Sequence, residues 1–256
     1  MRIAILGATS GIGEAVARQL ATRGDRLVLL GRDVEGLART AADLGIVASL
    51  ANPAEFGDAE PYPTVPLDLH RPAGFEVAID AAWELFDGLD AVLVTAGQYH
   101  SQEALESDPE RISGLATVNF SSTVQLCEVV RKRFLESGQR RLRLAVLGSV
   151  AGDRARKPVA IYGATKAGLA HYLDGLDLRY RGSGLHVTTV KPGFVRTPMT
   201  AGLSEPPFAS DVEPVARDIV RAIDRGRRVV YTPGIWRGVM AIIRALPRLV
   251  LRRADF

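Results

Sequence analysis

Three side chains in the second half of the chain have the types and spacing of a proton-transfer site. Tyr162 and Lys166 lie four positions apart in the segment IYGATK, and Ser149 precedes the tyrosine by thirteen positions. On a helix, residues at i and i+4 share one face, so an ammonium group lies beside a phenol whose ordinary pKa is about 10. The positive charge favours the phenolate, and a serine hydroxyl can hold a substrate oxygen. This combination predicts carbonyl or alcohol chemistry with proton exchange at neutral pH.

A glycine-rich turn near the amino terminus predicts a binding site for a dinucleotide. The apolar run 2–6 has the length of a buried strand and leads directly into GATSGIG, with glycines at 7, 11 and 13. A helical pattern follows. Glycines let the backbone approach a pyrophosphate, whose negative charge is favoured by the N–H groups at a helix start. An ordinary strand-to-helix turn is the alternative interpretation, and the tyrosine, lysine and serine weigh against it.

Taken together, these residues resemble the short-chain dehydrogenase/reductase family, and the resemblance covers nearly the whole chain. It implies a catalytic tetrad of Asn119, Ser149, Tyr162 and Lys166. In the implied roles, Tyr162 is the general acid/base, and Lys166 lowers its pKa and binds the nicotinamide ribose. Ser149 orients the substrate carbonyl, and Asn119 maintains a proton-relay water.

The same resemblance implies which residues contact a nicotinamide dinucleotide. They come from the glycine turn, the ends of strands, the catalytic helix and the segment KPGFVRT: Gly7, Thr9, Ser10, Gly11, Ile12, Gly13, Arg32, Asp68, Leu69, Ala96, Gly97, Tyr162, Lys166, Pro192, Gly193, Val195 and Thr197. Two places depart from the family pattern. Leu6 stands where the family usually has threonine, and VTAG at 94–97 replaces Asn-Asn-Ala-Gly. Both departures put local stabilising hydrogen bonds in doubt and leave the catalytic groups intact.

The end of the second predicted strand bears on the choice of cofactor. An acidic residue there would bind the ribose hydroxyls of NAD, but LVLLGRD offers Gly31 and Arg32 instead. A guanidinium group suits a phosphate dianion. The sequence therefore favours NADP(H) over NAD(H), and a solvated surface arginine is the alternative interpretation.

Alternating strand and helix patterns predict an α/β fold, a Rossmann-like doubly wound parallel sheet of about seven strands in a single domain. Strands are predicted at 2–6, 26–30, 64–67, 90–95, 142–148, 185–191 and 228–232, and helices at 12–23, 33–43, 72–86, 104–136, 160–181 and 212–225. The cofactor is expected across the carboxyl ends of the strands. The domain should occupy 1–235, with a substrate lid at 199–211 and a surface excursion at 50–63 near the adenine end.

Composition agrees with one compact enzyme. The chain has 256 residues, of which 47% are apolar, enough for a large core. Its only cysteine, Cys127, lies among apolar positions of a predicted helix, which excludes disulfides and favours a reducing compartment. The first predicted strand leaves no room for a signal peptide. The four histidines are scattered, so no metal site is expected.

The C-terminal segment carries all the excess positive charge. Residues 225–256 contain eight arginines and one acidic residue, a net charge of +7, whereas the rest of the chain carries −4 of a total of +3. If 236–253 is mostly helical, Arg237, Arg244, Arg248 and Arg252 fall within roughly a quarter of the helix circumference at 3.6 residues per turn. Apolar residues occupy much of the remaining surface. The segment 236–256 is therefore predicted to be a basic amphipathic tail.

Two interpretations of this tail stay open. It can lie in a membrane interface against anionic lipid, although Pro247 and the arginines argue against a spanning helix, which needs about 20 mostly apolar residues. Alternatively, its apolar face packs on the body or on a second subunit. Nucleic-acid binding is not expected, because no aromatic platform accompanies the arginines. The expected location is cytoplasmic, with peripheral contact at the inner face of the membrane under the first interpretation.

Within the family, the sequence is similar to the reductases that act on decaprenylphosphoryl-2-keto-pentose. The matching residues lie after the serine and in the tail: Gly152, Arg154, Arg156, Pro233, Arg237, Val239, Met240, Arg244, Pro247 and Arg248. The resemblance implies a keto-sugar on a polyprenyl phosphate as the leading substrate. A small soluble ketone or an acyl or polyketide intermediate is the alternative substrate, and a non-catalytic nucleotide-sensing protein is the alternative of another class. The family also implies a homodimer or homotetramer, formed through the helices at 104–136 and 160–181.

Overall fold

The chain folds around a single parallel sheet. A computed structural model describes residues 1–9 and 11–253, so Ser10, an expected cofactor contact, lies outside the described residues. Within these ranges the sheet has seven strands: β1 (Arg2–Leu6), β2 (Arg26–Gly31), β3 (Thr64–Pro66), β4 (Ala91–Val94), β5 (Leu142–Leu147), β6 (Leu185–Pro192) and β7 (Val229–Thr232). Their spatial order is β3-β2-β1-β4-β5-β6-β7. The predicted seven-stranded, doubly wound α/β domain is confirmed.

Register and topology together place a crevice at the carboxyl ends of the central strands. Ile5 of β1 pairs with Leu29 of β2 on one side and with Leu93 of β4 on the other. Strand order reverses between β1 and β4, because β2 and β3 lie on one side of β1 and the later strands lie on the other. Ligands of open α/β sheets bind at such a switch point.

Helices cover both faces of the sheet. In chain order the helices are α1 (Gly11–Thr22), α2 (Val34–Ala51), α3 (Pro53–Phe56), α4 (Phe75–Glu84), α5 (Gln102–Glu106), α6 (Pro109–Ala116), α7 (Ser122–Glu136), α8 (Ala160–Tyr180), α9 (Val212–Arg225), α10 (Ile235–Ala245) and α11 (Arg248–Arg253). One core joins α1, α2 and α9 to the sheet, and the other joins α4, α7 and α8. Both faces are therefore buried, which explains the continuously apolar strands.

The region predicted as one helix at 104–136 contains three helices, so that prediction was wrong. Pro109 starts α6 afresh, and Asp108 caps it by accepting a hydrogen bond from the Glu110 amide at 3.0 Å. A wide π-helical turn, Thr117–Ser121, then separates α6 from α7. Such turns are frequent at functional sites, and this one contains Asn119.

Helix α2 is longer than predicted, and its length moves the surface excursion to the other end of the sheet. The helix extends to Ala51 rather than to residue 43. Asn52 Nδ2 then donates to the Thr22 carbonyl at 3.1 Å, and the Tyr62 hydroxyl donates to the Asp25 carbonyl at 3.0 Å. Both acceptors lie at the amino end of β2. The expectation that this excursion lies near the adenine end was therefore wrong.

The C-terminal segment is mostly helical but breaks before Pro247. Leu246 has extended backbone, with φ −64° and ψ 133°, as expected for a residue that precedes proline. One continuous arginine stripe therefore does not form. In α10, Trp236, Met240 and Ile243 are buried and pack with Val150. Among residues 1–9 and 11–253, no helix combines the length and apolarity needed to cross a bilayer.

Candidate active site

The backbone of helix α8 lies in direct contact with the backbone of the turn after β5. A Cβ added to Gly152 would lie 2.8 Å from the backbone of Lys166 and Ala167, and one added to Gly163 would lie 2.8 Å from the Ala151 carbonyl oxygen. Both glycines therefore permit a contact that other residues would prevent. The Ser149 side chain accepts a hydrogen bond from the Ala151 amide at 3.0 Å. Ser149 is thereby held in front of the first turns of α8.

Tyr162 lies at the centre of this contact. Its side chain lies close to that of Ser149, and its ring meets that of Tyr99 edge-on with centroids 5.3 Å apart. Burial raises the pKa of Tyr162 to about 12, and the neighbouring Ser149 hydroxyl only partly opposes the rise. The expected lowering of this pKa by Lys166 is therefore not what the structure gives, because desolvation is the largest influence on the phenol and raises its pKa. The phenol holds its proton at neutral pH.

Lys166 is almost completely enclosed. Its side chain is 4% exposed, and Nζ donates to the Leu147 carbonyl oxygen at 3.0 Å. The ammonium group lies 5.9 Å from the centroid of the Tyr162 ring. Burial lowers the pKa of Lys166 to about 8, so the group remains mostly charged at pH 7. Lys166 and Tyr162 share one helix face, as their spacing predicted.

Asn119 is buried in the π-helical turn and orders the loop after β4. Its Oδ1 accepts from the Gln98 amide and its Nδ2 donates to the Gln98 carbonyl, both at 2.8 Å. A Cβ added to Gly97 would lie 3.3 Å from Asn119 Oδ1 and 3.5 Å from Lys166 Nζ. The structure therefore brings all four residues of the predicted tetrad to one end of the sheet.

A cleft of about 380 Å³ lies at the switch point beside these residues. Eleven of the predicted cofactor contacts line it: Gly7, Thr9, Gly11, Ile12, Gly13, Arg32, Asp68, Leu69, Ala96, Gly97 and Thr197. Five other predicted contacts do not line it: Tyr162, Lys166, Pro192, Gly193 and Val195. A Cβ on Gly193 would overlap the Trp236 indole, and Val195 is buried beneath the following loop. The cleft follows the glycine turn from β1 to the end of β2.

Thr95 supplies hydrogen bonds next to the glycine turn, where the sequence departs from the family pattern. Its hydroxyl donates to the carbonyl oxygens of Leu6 and Gly7, at 2.9 and 3.1 Å. A Cβ on Gly13 would lie 2.5 Å from this hydroxyl. The turn is therefore anchored to β4 by a residue that the sequence analysis treated only as a departure.

Several lining residues at the adenine end escaped the sequence analysis. Asp33 follows Arg32, and its carboxylate caps α2 by accepting from the Gly36 amide at 3.0 Å. His70 and Gln98 also line the cleft, with His70 Nε2 and Gln98 Nε2 3.3 Å apart. The pattern of an aspartate three residues before a glycine in the first helical turn could have revealed the cap.

The segment 199–211 is tied down at both of its ends. Arg196 Nη1 pairs with Asp211 at 2.9 Å, and Arg196 Nε donates to Glu205 at 3.0 Å. Trp236 Nε1 donates to the carbonyl oxygen of Phe208 at 3.3 Å. Phe208 has φ +66°, an uncommon value for a residue other than glycine. The segment 199–211, which follows β6 in the chain, is thus linked to α10.

Two charged residues between Ser149 and Tyr162 have surroundings that the sequence analysis did not predict. Asp153 is paired with Lys191 at 2.5 Å and accepts a hydrogen bond from the Tyr231 hydroxyl at 2.7 Å. Arg156 has a buried Nε without a hydrogen-bond partner, and burial lowers its pKa. Neither feature is visible in the residue pattern, because both depend on which elements the loop touches.

Comparison with known proteins identifies the family. The model of the short chain dehydrogenase family matches residues 2–207, and the chain belongs to that family. An uncharacterized oxidoreductase of Streptomyces coelicolor is 33% identical over 97% of this chain and 94% of its own length. An uncharacterized oxidoreductase of Mycobacterium tuberculosis is 30% identical over 98% and 96%. A short-chain dehydrogenase from Sphingobium yanoikuyae, solved in complex with NADPH, is 28% identical with a TM-score of 0.76, covering 96% of this chain and 98% of that one.

The ionisation of Tyr162 can be measured directly in the cofactor-free enzyme. The ultraviolet absorbance of tyrosinate is titrated in wild type and in Tyr162→Phe, and the difference isolates this phenol. Because burial raises its pKa to about 12, we expect no difference signal below about pH 10. A difference signal with a midpoint below about pH 9 would show that Lys166 outweighs burial.

Proposed function

We propose that the protein is an NADP(H)-dependent reductase that converts a ketone to an alcohol by hydride transfer. The observation that carries the proposal is the buried phenol of Tyr162, close to Ser149 and Lys166, at the end of the sheet that holds the glycine-lined cleft. A bound reduced nicotinamide would supply the hydride. Reduction of a carbonyl also needs a proton for the oxygen, and a phenol that keeps its proton at neutral pH is suited to donate it.

The other tetrad residues have complementary roles in this proposal. Ser149 accepts its hydrogen bond from Ala151, so its own O–H is available to hold the substrate oxygen next to Tyr162. Lys166 places a positive charge near the phenolate that forms when the proton leaves. Asn119 holds the Gln98 backbone and thereby the loop beside the expected nicotinamide position. Its proposed proton-relay water would lie in the same region.

The preference for NADP(H) is supported by the surroundings of Arg32. Within the described part of the chain, Arg32 has no ion pair or side-chain hydrogen bond, although it lines the cleft. The neighbouring carboxylate of Asp33 is engaged in capping α2. A free guanidinium and an occupied carboxylate favour a ribose that carries a phosphate over one that carries two hydroxyls. The solved relative from Sphingobium yanoikuyae holds NADPH.

Arg32→Ala should weaken NADPH binding by tenfold to a hundredfold, since a charge-assisted contact to phosphate contributes roughly 1.5–3 kcal/mol. The dissociation constant for NADH should change less than about twofold. Arg39→Ala, which removes an exposed arginine of α2 outside the cleft, is the matched control and should affect neither cofactor. Equal losses for both cofactors in Arg32→Ala, or tighter binding of NADH by wild type, would contradict the assignment.

A keto-sugar carried on a polyprenyl phosphate is the proposed substrate. Arg156 supports an anionic substrate, because its side chain is partly buried and, among the described residues, has no counter-ion and no hydrogen-bond partner for its buried Nε. A buried charge without a partner is costly, and a phosphate would compensate it. The proposed lid at 199–211 adds exposed apolar side chains, Met199, Leu203 and Phe208, which suit the lipid part.

Substrate class and turnover can be tested together by following NADPH oxidation. We expect wild type to reduce a polyprenyl-phosphate keto-pentose with a kcat/KM at least tenfold above those for small soluble ketones and acyl or polyketide ketones. Tyr162→Phe should bind NADPH normally and lose at least about a hundredfold in kcat, the usual contribution of a general acid. Turnover by Tyr162→Phe within tenfold of wild type would contradict the mechanism. A wild type inert toward every ketone would instead favour a nucleotide-sensing protein.

Arg156→Met tests the anionic group of the substrate. The variant should raise KM for the phosphate-bearing substrate at least tenfold and leave kinetics on an uncharged soluble ketone within twofold. Removal of an uncompensated charge should also raise the Tm of the substrate-free enzyme, by about 2–4 °C for each kcal/mol gained. A drop in activity on both substrates would show that Arg156 only supports the loop.

Membrane contact and self-association complete the proposal. Ile242, Leu249 and Val250 are exposed next to the arginines of the tail, which supports peripheral contact with an anionic membrane. We further propose a cytoplasmic homodimer or homotetramer. Five apolar residues of α7 and α8 are buried within the subunit: Leu126, Val130, Leu169, Leu173 and Leu176. A contact between subunits through these helices would therefore use outward residues such as Leu135 and Leu178.

A further inference from the structure

A second cavity lies between α8, the β6–β7 edge of the sheet and α10. Its volume is about 780 Å³, within the range of roughly 300–1,000 Å³ for pockets that hold small molecules. Its walls are formed by Ala170, His171, Asp174, Thr189, Lys191, Arg227, Val229, Val230, Tyr231, Gly234, Arg237 and Arg244. No residue of the tetrad or of the cofactor cleft is among them.

Four cationic side chains from separate elements line this cavity. Lys191 comes from β6, Arg227 from the turn before β7, and Arg237 and Arg244 from α10. Asp174 is the one acidic residue of the lining. Charges of one sign in a concave site reinforce each other and attract a counter-ion more strongly than the same charges spread over a convex surface.

The two arginines of α10 are available to a ligand. They are seven positions apart, two turns along the same helix face. Within residues 1–9 and 11–253, neither has an ion pair or a side-chain hydrogen bond. Lys191, in contrast, is already paired with Asp153 at 2.5 Å. Within the described part of the chain, three guanidinium groups around this cavity therefore have no partner: those of Arg237 and Arg244 on α10, and that of Arg227.

Both guanidinium groups lie near Tyr231, which belongs to the same cavity lining. Burial raises the pKa of Tyr231 to about 12, and its hydrogen bond to Asp153 adds to the rise. The charges of Arg244 and Arg237 oppose it, so both lie close enough to Tyr231 to act on its hydroxyl. Val229 and Val230 provide an apolar wall beside this charged group.

We infer that this cavity binds the phosphate group of an organic phosphate, held by Arg237 and Arg244. Guanidinium groups bind phosphate oxygens in pairs of parallel hydrogen bonds. The volume exceeds what a bare phosphate needs, and the valines offer contact to an attached organic group. The inference goes beyond the proposed reductase, since binding here requires neither turnover nor any tetrad residue.

The test is calorimetric titration of inorganic phosphate into the full-length enzyme saturated with NADP⁺. Saturation keeps phosphate away from the cofactor cleft, and ionic strength is held constant so that screening does not change. Wild type should bind saturably, with a Kd on the order of 1 mM. The double variant Arg237→Gln/Arg244→Gln should bind at least tenfold more weakly.

Arg248→Gln/Arg252→Gln is the matched control, because it removes the same charge from α11, outside the cavity. It should bind phosphate within twofold of wild type. Arg227→Gln, on a different element, provides a second variant and should weaken binding about threefold even if the α10 variant is unstable. No saturable binding by wild type, or equal losses in the two double variants, would overturn the inference.

The organic phosphate could be a lipid headgroup or a soluble ester, and vesicles separate these sources. Vesicles with 30% phosphatidylglycerol in phosphatidylcholine are compared with pure phosphatidylcholine vesicles. A lipid source predicts that the anionic vesicles compete with inorganic phosphate and sediment wild type but not Arg237→Gln/Arg244→Gln. A soluble source predicts phosphate binding that anionic vesicles leave unchanged. Both results support the site and assign its ligand.

Discussion

The arrangement of the site depends on one constraint, the burial of the positively charged ammonium group of Lys166. Enclosing an ammonium group costs several kcal/mol unless acceptors replace its water. The Leu147 carbonyl at the end of β5 is such an acceptor, and reaching it requires α8 to lie against that strand end. Gly152 and Gly163 permit the approach. Once α8 is held there, Tyr162 and Ser149 meet as a consequence.

Burial and the neighbouring Ser149 hydroxyl act on the pKa of Tyr162 in opposite directions, and burial is the larger effect. The spacing suggested that Lys166 would favour the phenolate form of Tyr162. Both side chains are buried, however, and burial destabilises the charged form of each group. The pKa of Tyr162 rises to about 12 while that of Lys166 falls to about 8. A protonated phenol suits reduction. Oxidation would need the phenolate as a base in a place where a charge is poorly solvated.

The sequence predicted the parts of the fold that depend on local pattern and missed those that depend on distant contacts. All seven strands were found, since buried parallel strands are apolar runs between turns. The π-helical turn around Asn119 was missed because apolar spacing continues through it from α6 to α7. The cap by Asp33 and the break at Pro247 were local signals that could have been used. The pairing of Asp153 and the isolation of Arg156 required knowing the neighbours in space.

Helix α10 connects three parts of the site that the sequence treated as separate. Trp236 packs against Gly193, which directly follows β6, and its Nε1 donates a hydrogen bond to the Phe208 carbonyl oxygen of the segment 199–211. Met240 and Ile243 pack with Val150, next to Ser149.

These contacts give the two faces of α10 different tasks. The apolar face forms part of the support of the active site, as the packing interpretation of the tail anticipated. Two arginines of α10, Arg237 and Arg244, instead line the second cavity, between α8, the β6–β7 edge of the sheet and α10. Because the apolar contacts hold the helix in place, its arginines can be replaced without disrupting the active site.

The cavity adjoins two elements that also contact the active site. A ligand in the cavity would touch α10, the helix that binds the Phe208 carbonyl. It would also lie beside Lys191, whose partner Asp153 is four residues after Ser149. The cavity and the active site therefore share two structural elements, α10 and the ion pair between Lys191 and Asp153.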